Sequence, residues 1–279
     1  MDIHATITDS IIAALETVKP GDWKCPWNRS AGGLPTNAVS KKPYRGINIL
    51  SLWCAAQANG YGDSRWATYK QWAEAGAQVR KGERSSLIVF YKDHRVEPEG
   101  EGDDGRRFIA RASFVFNASQ VDGAAAIDSV LPAGVELPPE FDRFVAETGA
   151  IVHEGGSTAC YVPSTDEIRM PPRQAFHSTS GFTSTLAHEL VHWTGAKSRL
   201  DRDLSGRFKT ASYAAEELVA ELGAAFTMAT LGLPSEPHQQ HASYIASWLT
   251  LLKSDNRAIF TAAAKASQAV DFLIGRAAD

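Results

Sequence analysis

The residues best suited to chemistry lie in the segment LAHELVHWTG, residues 186–195, which contains the pattern His-Glu-x-x-His. On a helix, residues four apart lie one turn above each other, so His188 and His192 can present two imidazoles to one metal ion. Glu189 lies beside them, close to a metal-bound water, as a general base must. The pattern predicts a zinc site on a helix capped by Thr183 or Ser184. The alternative is two ordinary histidines on an amphipathic helix.

The third ligand decides the subclass of zinc site. The opening HExxHxxG matches metzincins, but their third histidine would fall at Ser198, which excludes that subclass. A following segment, SYAAEELVAELGAAF, offers carboxylates instead. Glu217 and Glu221 share one apolar helical face, where a carboxylate is costly unless it is paired or metal-bound. We assign Glu217 as the ligand and Glu221 as the acceptor that orients a ligand histidine, with the reverse assignment left open. Glu216 points about 100° away and is expected to be solvated.

This ligand set predicts hydrolysis. Two histidines and one glutamate leave a coordination position open for water, whose pKa falls toward neutrality on Zn²⁺; another divalent metal such as Mn²⁺ would also fit. Glu189 would take the proton as water attacks a carbonyl and pass it to the leaving amine. Tyr213 and His177 are candidate donors to the oxyanion, and a purely structural role is the alternative for each.

The N-terminal third has a different chemistry. Between Lys19 and Arg95 there are thirteen Lys and Arg against five Asp and Glu, and five of the seven tryptophans lie in this third. Proteins that bind single-stranded DNA typically combine Lys and Arg side chains, which contact the phosphates, with aromatic rings, which stack on the bases. The alternative is a solvated basic face, with Trp53, Trp66 and Trp72 on helical faces in the core. The candidate DNA-binding residues are Lys41, Lys42, Tyr44, Arg45, Trp23, Trp27, Arg80, Lys81 and Arg84.

The surrounding pattern predicts an α+β chain with two domains. Helices are expected in MDIHATITDSIIAALETVK, over Ile47–Asn59 and in WATYKQWAEAG. A hairpin is expected from SSLIVFYKDHRV and RRFIARASFVFNASQV, with an acidic, mobile tip between them. After a short helix from Glu140 and three strands, the chain is helical from Thr183 onward. We predict a single-strand-binding domain over 1–125, a linker over 126–139, and a mostly helical metallopeptidase domain with a small antiparallel sheet over 140–279.

Composition excludes other classes of protein. The start lacks the basic n-region and the cleavage site of a signal peptide, and no run of eighteen apolar residues could span a membrane. Three scattered cysteines form neither a disulfide framework nor a CxxC pair, which favours a reducing cytoplasm. We expect no membrane partner and no small-molecule cofactor.

Several motifs, in order, resemble a known family. PYRGIN, WATYKQWAEAGAQVRKGERS and FVFNASQV resemble the N-terminal single-stranded-DNA-binding domain of ArdC-type antirestriction proteins, which is also found at the front of TraC-type plasmid primases. LAHELVHWTG, YAAEELVAELGAAF and SWLTLLKSDNRAIFTAAAKASQAVDFL resemble the zincin-like metallopeptidase domain that follows it. The resemblance implies a plasmid- or phage-linked protein that binds single-stranded DNA and protects incoming DNA from host restriction. It also implies metal on His188 and His192 with an acidic third ligand, but no particular peptide substrate.

Three functions remain open on the sequence. The metallopeptidase domain could cleave a host protein while the first domain holds DNA. Occlusion of DNA could be the whole activity, with a non-catalytic metal. The protein could also be a regulatory protease that cleaves a repressor, with DNA binding for localisation only. Glu189 favours a catalytic site, because a structural zinc needs no general base and has four protein ligands.

Overall fold

The computed structural model describes residues 2–16, 33–95, 106–124, 139–204, 210–236 and 241–278. The predicted linker and hairpin tip, as well as Trp23 and Trp27, lie outside the described residues, apart from residue 139, which begins a helix. Within the described ranges up to residue 124 there are three helices: α1 (Ile3–Glu16), α2 (Ile47–Asn59) and α3 (Tyr69–Glu74). The strands of this N-terminal part are β1 (Thr36–Asn37), β2 (Arg65–Ala67), β3 (Gln78–Val79), β4 (Ser86–Arg95), β5 (Arg106–Asn117) and β6 (Val121–Asp122).

The main N-terminal sheet has the strand order β1-β2-β5-β4, and β3 pairs separately with β6. Helix α2 lies along the free edge of β4. There the Asn48 side chain accepts from the Val89 amide at 2.8 Å and donates to its carbonyl at 2.6 Å, while Ser51 donates to the Leu87 carbonyl. Side chains thus satisfy backbone groups that an edge strand otherwise leaves open to pairing with other chains.

The C-terminal part, from residue 139, consists of a small sheet and five helices among the residues described. The strands are β7 (Ile151–Glu154), β8 (Cys160–Val162) and β9 (Glu167–Met170), in the order β7-β9-β8. The helices are α4 (Pro139–Thr148), α5 (Thr179–Thr194), α6 (Ala211–Thr230), α7 (His241–Ser254) and α8 (Ala258–Ala278). The sheet is mixed rather than purely antiparallel, because β7 runs parallel to β9 and β8 antiparallel to it.

The two parts share one hydrophobic core. Ile11 of α1 and Trp53 of α2 belong to the same buried cluster as residues of α6 and α8, and Trp53 meets Phe226 edge to face at 5.7 Å. Polar contacts follow the same path, because Thr8 donates to the Asn256 carbonyl and the Gly46 amide donates to Ser267. The α+β class is confirmed, and the proposed domain boundaries stay a prediction.

Helix α2 has the predicted limits, and Gly60 ends it in the left-handed conformation with φ 68°. Two other helix predictions were wrong in their limits. Trp66 and Ala67 lie in β2 rather than in a helix, because Trp66 pairs with Asn117 and fills a cluster with Leu52. The site helix α5 begins at Thr179, four residues earlier than predicted, with Ser178 as its cap.

The apolar length of the helices and the state of the cysteines were both subjects of prediction. Among the residues described, no helix is long and apolar enough to cross a membrane. Cys54 and Cys160 are both free thiols. Burial of the Cys54 side chain, which lies on α2, raises the pKa of its thiol to about 12, so the thiol is protonated near neutral pH.

Candidate metal centre

Helix α5 brings His188 and His192 together. Ser178 caps the helix by accepting from the Gly181 amide at 3.0 Å, and the Glu236 carboxylate accepts from Ser178. Because His188 and His192 lie one helical turn apart, their Nε2 atoms are 3.1 Å from each other. Both side chains are largely buried, with 6% and 14% of their surface exposed. Two imidazole nitrogens therefore point at the same place.

Glu217 on α6 supplies a third donor at this place. Its Oε2 lies 3.5 Å from Nε2 of His188, and its Oε1 lies 3.6 Å from Nε2 of His192. All three donor atoms lie within 4.8 Å of one another. Two imidazoles and one carboxylate are a donor set that fits zinc and related divalent metals, so the residues present fit a metal.

The close approach of α5 and α6 depends on Gly223. A Cβ atom at this position would lie 2.7 Å from Cγ2 of Val191, so a larger residue fits only if the Val191 side chain or the helices shift. Val191 immediately precedes His192, and Gly223 lies less than two turns after Glu217. The glycine therefore sets how near the glutamate comes to the two histidines.

Negative charge surrounds the two histidines. Burial alone would disfavour the imidazolium of His188, yet its contacts with Glu217 and Glu221 raise its pKa well above the usual value. Burial likewise opposes ionisation of Glu217, but the two histidines and Tyr213 lower its pKa to about 2. A buried place that favours both an ionised carboxylate and a positive charge beside it suits a cation.

Each of the two histidines has a second carboxylate behind it. Oε2 of Glu221 lies 3.7 Å from Nδ1 of His188, on the side away from His192. Oε1 of Glu216 lies 3.3 Å from Nδ1 of His192. The prediction that Glu216 is solvated was wrong: its side chain is 11% exposed, because α6 turns it toward the C-terminal end of α5. Such carboxylates fix the orientation of metal-binding histidines.

Arg202 anchors Glu216 in turn. Its Nη2 donates to Glu216 at 2.8 Å, its Nη1 donates to the Thr194 hydroxyl at 2.8 Å, and Nη2 also donates to the Val191 carbonyl. A Cβ atom at Gly195 would lie 2.9 Å from Nη2 of Arg202. The glycine of HELVHWTG thus leaves room for this arginine over the end of α5. No motif in the sequence indicated Arg202.

Glu189 lines a cavity of about 270 Å³, and the three metal-donor residues, His188, His192 and Glu217, line it as well. The Tyr161 amide of β8 donates to Oε2 of Glu189 at 2.7 Å and so fixes the carboxylate. Tyr213 and Tyr244 line the cavity as well, with their hydroxyl oxygens 2.9 Å apart. Burial, the contact with Tyr244 and the charge of Glu217 raise the pKa of Tyr213. Tyr244 lies 31 residues from Tyr213 and had no sequence signal. His177 is exposed and is not among the residues that line the cavity.

The predicted DNA-binding residues are dispersed over the N-terminal part. Lys41 and Lys42 are exposed, as are Lys81 and Arg84. Tyr44 is half-buried, and its hydroxyl accepts from Asn37 at 3.2 Å and donates to the Trp66 carbonyl at 3.4 Å. Arg45 forms an ion pair with Asp271 on α8. Arg80 donates to Glu83 at 2.9 Å. Their contact with DNA stays a prediction.

Comparisons with known proteins agree with this architecture. Residues 139–265 match the family model of a zincin-like metallopeptidase, and residues 1–120 match the N-terminal domain of the anti-restriction factor ArdC. The crystal structure of the antirestriction protein ArdC from plasmid R388 superposes with a TM-score of 0.85 in its metal-free form, at 41% identity over 100% of this chain and 98% of that chain. Its Mn(II)-bound form gives a TM-score of 0.82 over 100% and 99%.

Curated relatives extend the comparison. The uncharacterized protein y4eC of Sinorhizobium fredii is 45% identical over 100% of this chain and 93% of its own length. Two DNA primases TraC of Escherichia coli are 35% identical over 97% of this chain, which spans 27% and 20% of their lengths. Fold, site and relatives together define a protein with an ArdC-type N-terminal domain and a zincin-like domain. The chain belongs to the ArdC family.

Proposed function

We propose that this protein protects incoming plasmid or phage DNA from host restriction, binding single-stranded DNA through its N-terminal part, and that its metal centre is a metallopeptidase site. The observation that carries the peptidase proposal is the position of Glu189. It lies in a cavity beside three metal-donor side chains, whereas a structural site has four protein ligands and needs no base. The Mn(II)-bound ArdC structure supports a divalent metal, Zn²⁺ or Mn²⁺.

The residues of the cavity have complementary roles in this proposal. His188, His192 and Glu217 hold the metal, which when bound lowers the pKa of a water and polarises a carbonyl. Glu189, held in place by the Tyr161 amide, accepts a proton and returns it to the leaving amine. The hydroxyls of Tyr213 and Tyr244 are the donors that face a developing oxyanion.

The substrate enters beside β8. This strand is one edge of the small sheet, and its residues Cys160 and Tyr161 line the cavity together with the two tyrosines. An extended chain can pair with such an edge by backbone hydrogen bonds. A host protein is therefore the substrate class that we propose, and the cytoplasm, where a restriction enzyme meets DNA, is the compartment.

The N-terminal part supports the DNA-binding proposal through its excess of cations, its ArdC-type domain and its relatives among DNA primases. Single-strand binding should weaken as salt rises, because each phosphate contact releases counterions. An affinity for oligothymidylate that is absent or independent of salt would overturn this half of the proposal.

The variant Glu189→Ala distinguishes the proposed peptidase activity from the proposed protection of DNA. We expect it to retain Mn²⁺ or Zn²⁺, because Glu189 is not a ligand, and to lose hydrolysis of a denatured protein substrate. His192→Ala is the matched variant that should lose metal as well. Protection of transferred DNA is measured for both. If Glu189→Ala loses its metal, the assignment of roles is wrong. If it protects fully with metal bound, occlusion of DNA is the antirestriction activity and proteolysis is not needed for it.

A further inference from the structure

The β4–β5 hairpin exposes more large apolar side chains than its role in the fold requires. Phe90, Tyr91, Phe114 and Ile109 are 50%, 50%, 51% and 40% exposed. None of these four residues was predicted from the sequence to bind DNA, because the sequence of the hairpin indicated only two paired strands. Exposed apolar groups of this size in one element point to a binding surface.

The strand register divides these side chains between two faces. Phe90 lies opposite Arg111, and Lys92 lies opposite Ile109. Directly opposed residues share a face of the sheet, and residues two apart along a strand do as well. Phe90, Lys92, Ile109 and Arg111 therefore form one patch, the cationic face. Tyr91 and Phe114 lie on the other face.

Charge differs between the faces. Along the described register, the cationic face carries Lys92 and Arg111, with no Asp or Glu at its positions from Ser86 to Lys92 and from Ile109 to Val115. The opposite face has no cation over the same span, and its cations, Arg95 and Arg106, come only at the outer end of the register. At its inner end the cationic face is buried, because Ile88 and Val115 pack with Trp66; its outer end is open.

We infer that the cationic face is a binding surface for single-stranded DNA, with a base stacked on Phe90 and phosphates beside Lys92 and Arg111. The inference rests on the proposed single-strand binding and names the surface responsible. An aromatic ring between two cations suits an anionic chain with unpaired bases, whereas a duplex keeps its bases stacked inside. Of the charged residues predicted earlier, Arg45 and Arg80 form ion pairs with Asp271 and Glu83. Lys92 and Arg111 are both exposed.

The test compares Phe90→Ala with Phe114→Ala in the intact protein, by anisotropy of labelled oligothymidylate. The two phenylalanines are equally exposed on the same hairpin but lie on opposite faces. Phe90→Ala should weaken binding by roughly 5- to 150-fold, the loss of one stacked base, and Phe90→Trp should restore it. Phe114→Ala should bind like the wild type.

Lys92→Ala with Arg111→Ala should lower the slope of log affinity against log salt by about 1.4, since each phosphate contact contributes about 0.7 on single strands. Lys197→Ala with Lys265→Ala, which removes two exposed lysines of the C-terminal part, should leave the slope unchanged. Equal effects of the two phenylalanine variants, or an unchanged slope without Lys92 and Arg111, would overturn the inference and leave this face to a partner of another kind. A wild-type protein without affinity would instead overturn the proposed function.

Discussion

The metal centre and the cationic face use polar groups in opposite ways. In the metal centre, His192 contacts Glu216, which in turn contacts Arg202, and all three side chains are at most 14% exposed. On the cationic face, Phe90 is half exposed, and its position follows from the strand pairing alone. A buried polar group is costly unless it is satisfied, so the metal centre must be built as an interlocking unit. A surface that attracts an anion needs only positively charged side chains that lie near one another and are exposed to solvent.

The largest effect that this comparison predicts is on stability in the metal centre. Arg202→Met should destabilise the metal-free protein by about 3–5 kcal/mol, because Glu216 stays buried after its cation is removed. Arg199→Met is the matched control: Arg199 is also shielded, but its partner Asp166 is half exposed and returns to water. Urea unfolding measures both. Equal losses would show that Arg202 contributes packing only.

A second effect concerns the spacing of the two site helices. Gly223→Ala should cost about 1–3 kcal/mol through overpacking against Val191 and should also weaken metal binding, because α5 and α6 separate. Gly275→Ala on α8 is the control, since no atom lies within 4 Å of its added methyl and alanine favours the helix by up to about 1 kcal/mol. Thermal unfolding and Mn²⁺ titration of both variants provide the measurement. Wild-type affinity of Gly223→Ala for Mn²⁺ would show that the metal centre does not depend on the spacing that Gly223 sets.

A third effect isolates the orientation of one ligand. Glu216→Gln removes the negative charge behind His192 but keeps the size of the side chain. We expect Mn²⁺ affinity to fall by roughly 10- to 100-fold, while affinity for oligothymidylate stays the same. Glu221→Gln should act in the same direction through His188. Calorimetric titration with Mn²⁺ tests this, and an unchanged metal affinity in both variants would contradict the role of these carboxylates.

The smallest expected effect lies on the cationic face. Lys92→Ala and Arg111→Ala should each change the free energy of unfolding by no more than about 0.5 kcal/mol, because both side chains are exposed. Chemical denaturation measures this. A loss comparable to that of Arg202→Met would remove the contrast between the two regions.

Much of the metal centre was predictable because its spacing is local. His188, Glu189 and His192 lie on one turn of a helix, and Glu217 and Glu221 lie on another, so helical periodicity alone proposed which of them share a face. Helical periodicity gave the wrong prediction for Glu216, whose side chain was expected to be exposed to solvent. It did not take account of Arg202, which follows α5 and turns back over Gly195 to meet the glutamate.

The DNA-binding surface was less predictable for a physical reason. Composition located the positive charge in the N-terminal third, but side chains near one another in sequence point in different directions once folded. Arg45, adjacent to Tyr44, turns to Asp271 on α8, and Trp66 enters β2 instead of a helix. The pairing of Phe90 with Arg111 brings together residues that lie 21 positions apart, and only the register of β4 and β5 decides it.

By itself the sequence determined the α+β class, the zinc-type motif, the hairpin and the resemblance to the ArdC family, since all of these depend on local spacing and on residue type. Only the tertiary structure decided that Glu216 and Arg202 support His192, that Tyr244 joins Tyr213 in the cavity, and which side chains the hairpin leaves open. These features are contacts between distant segments, and their positions follow from how α5, α6 and the sheets pack rather than from any periodicity along the chain.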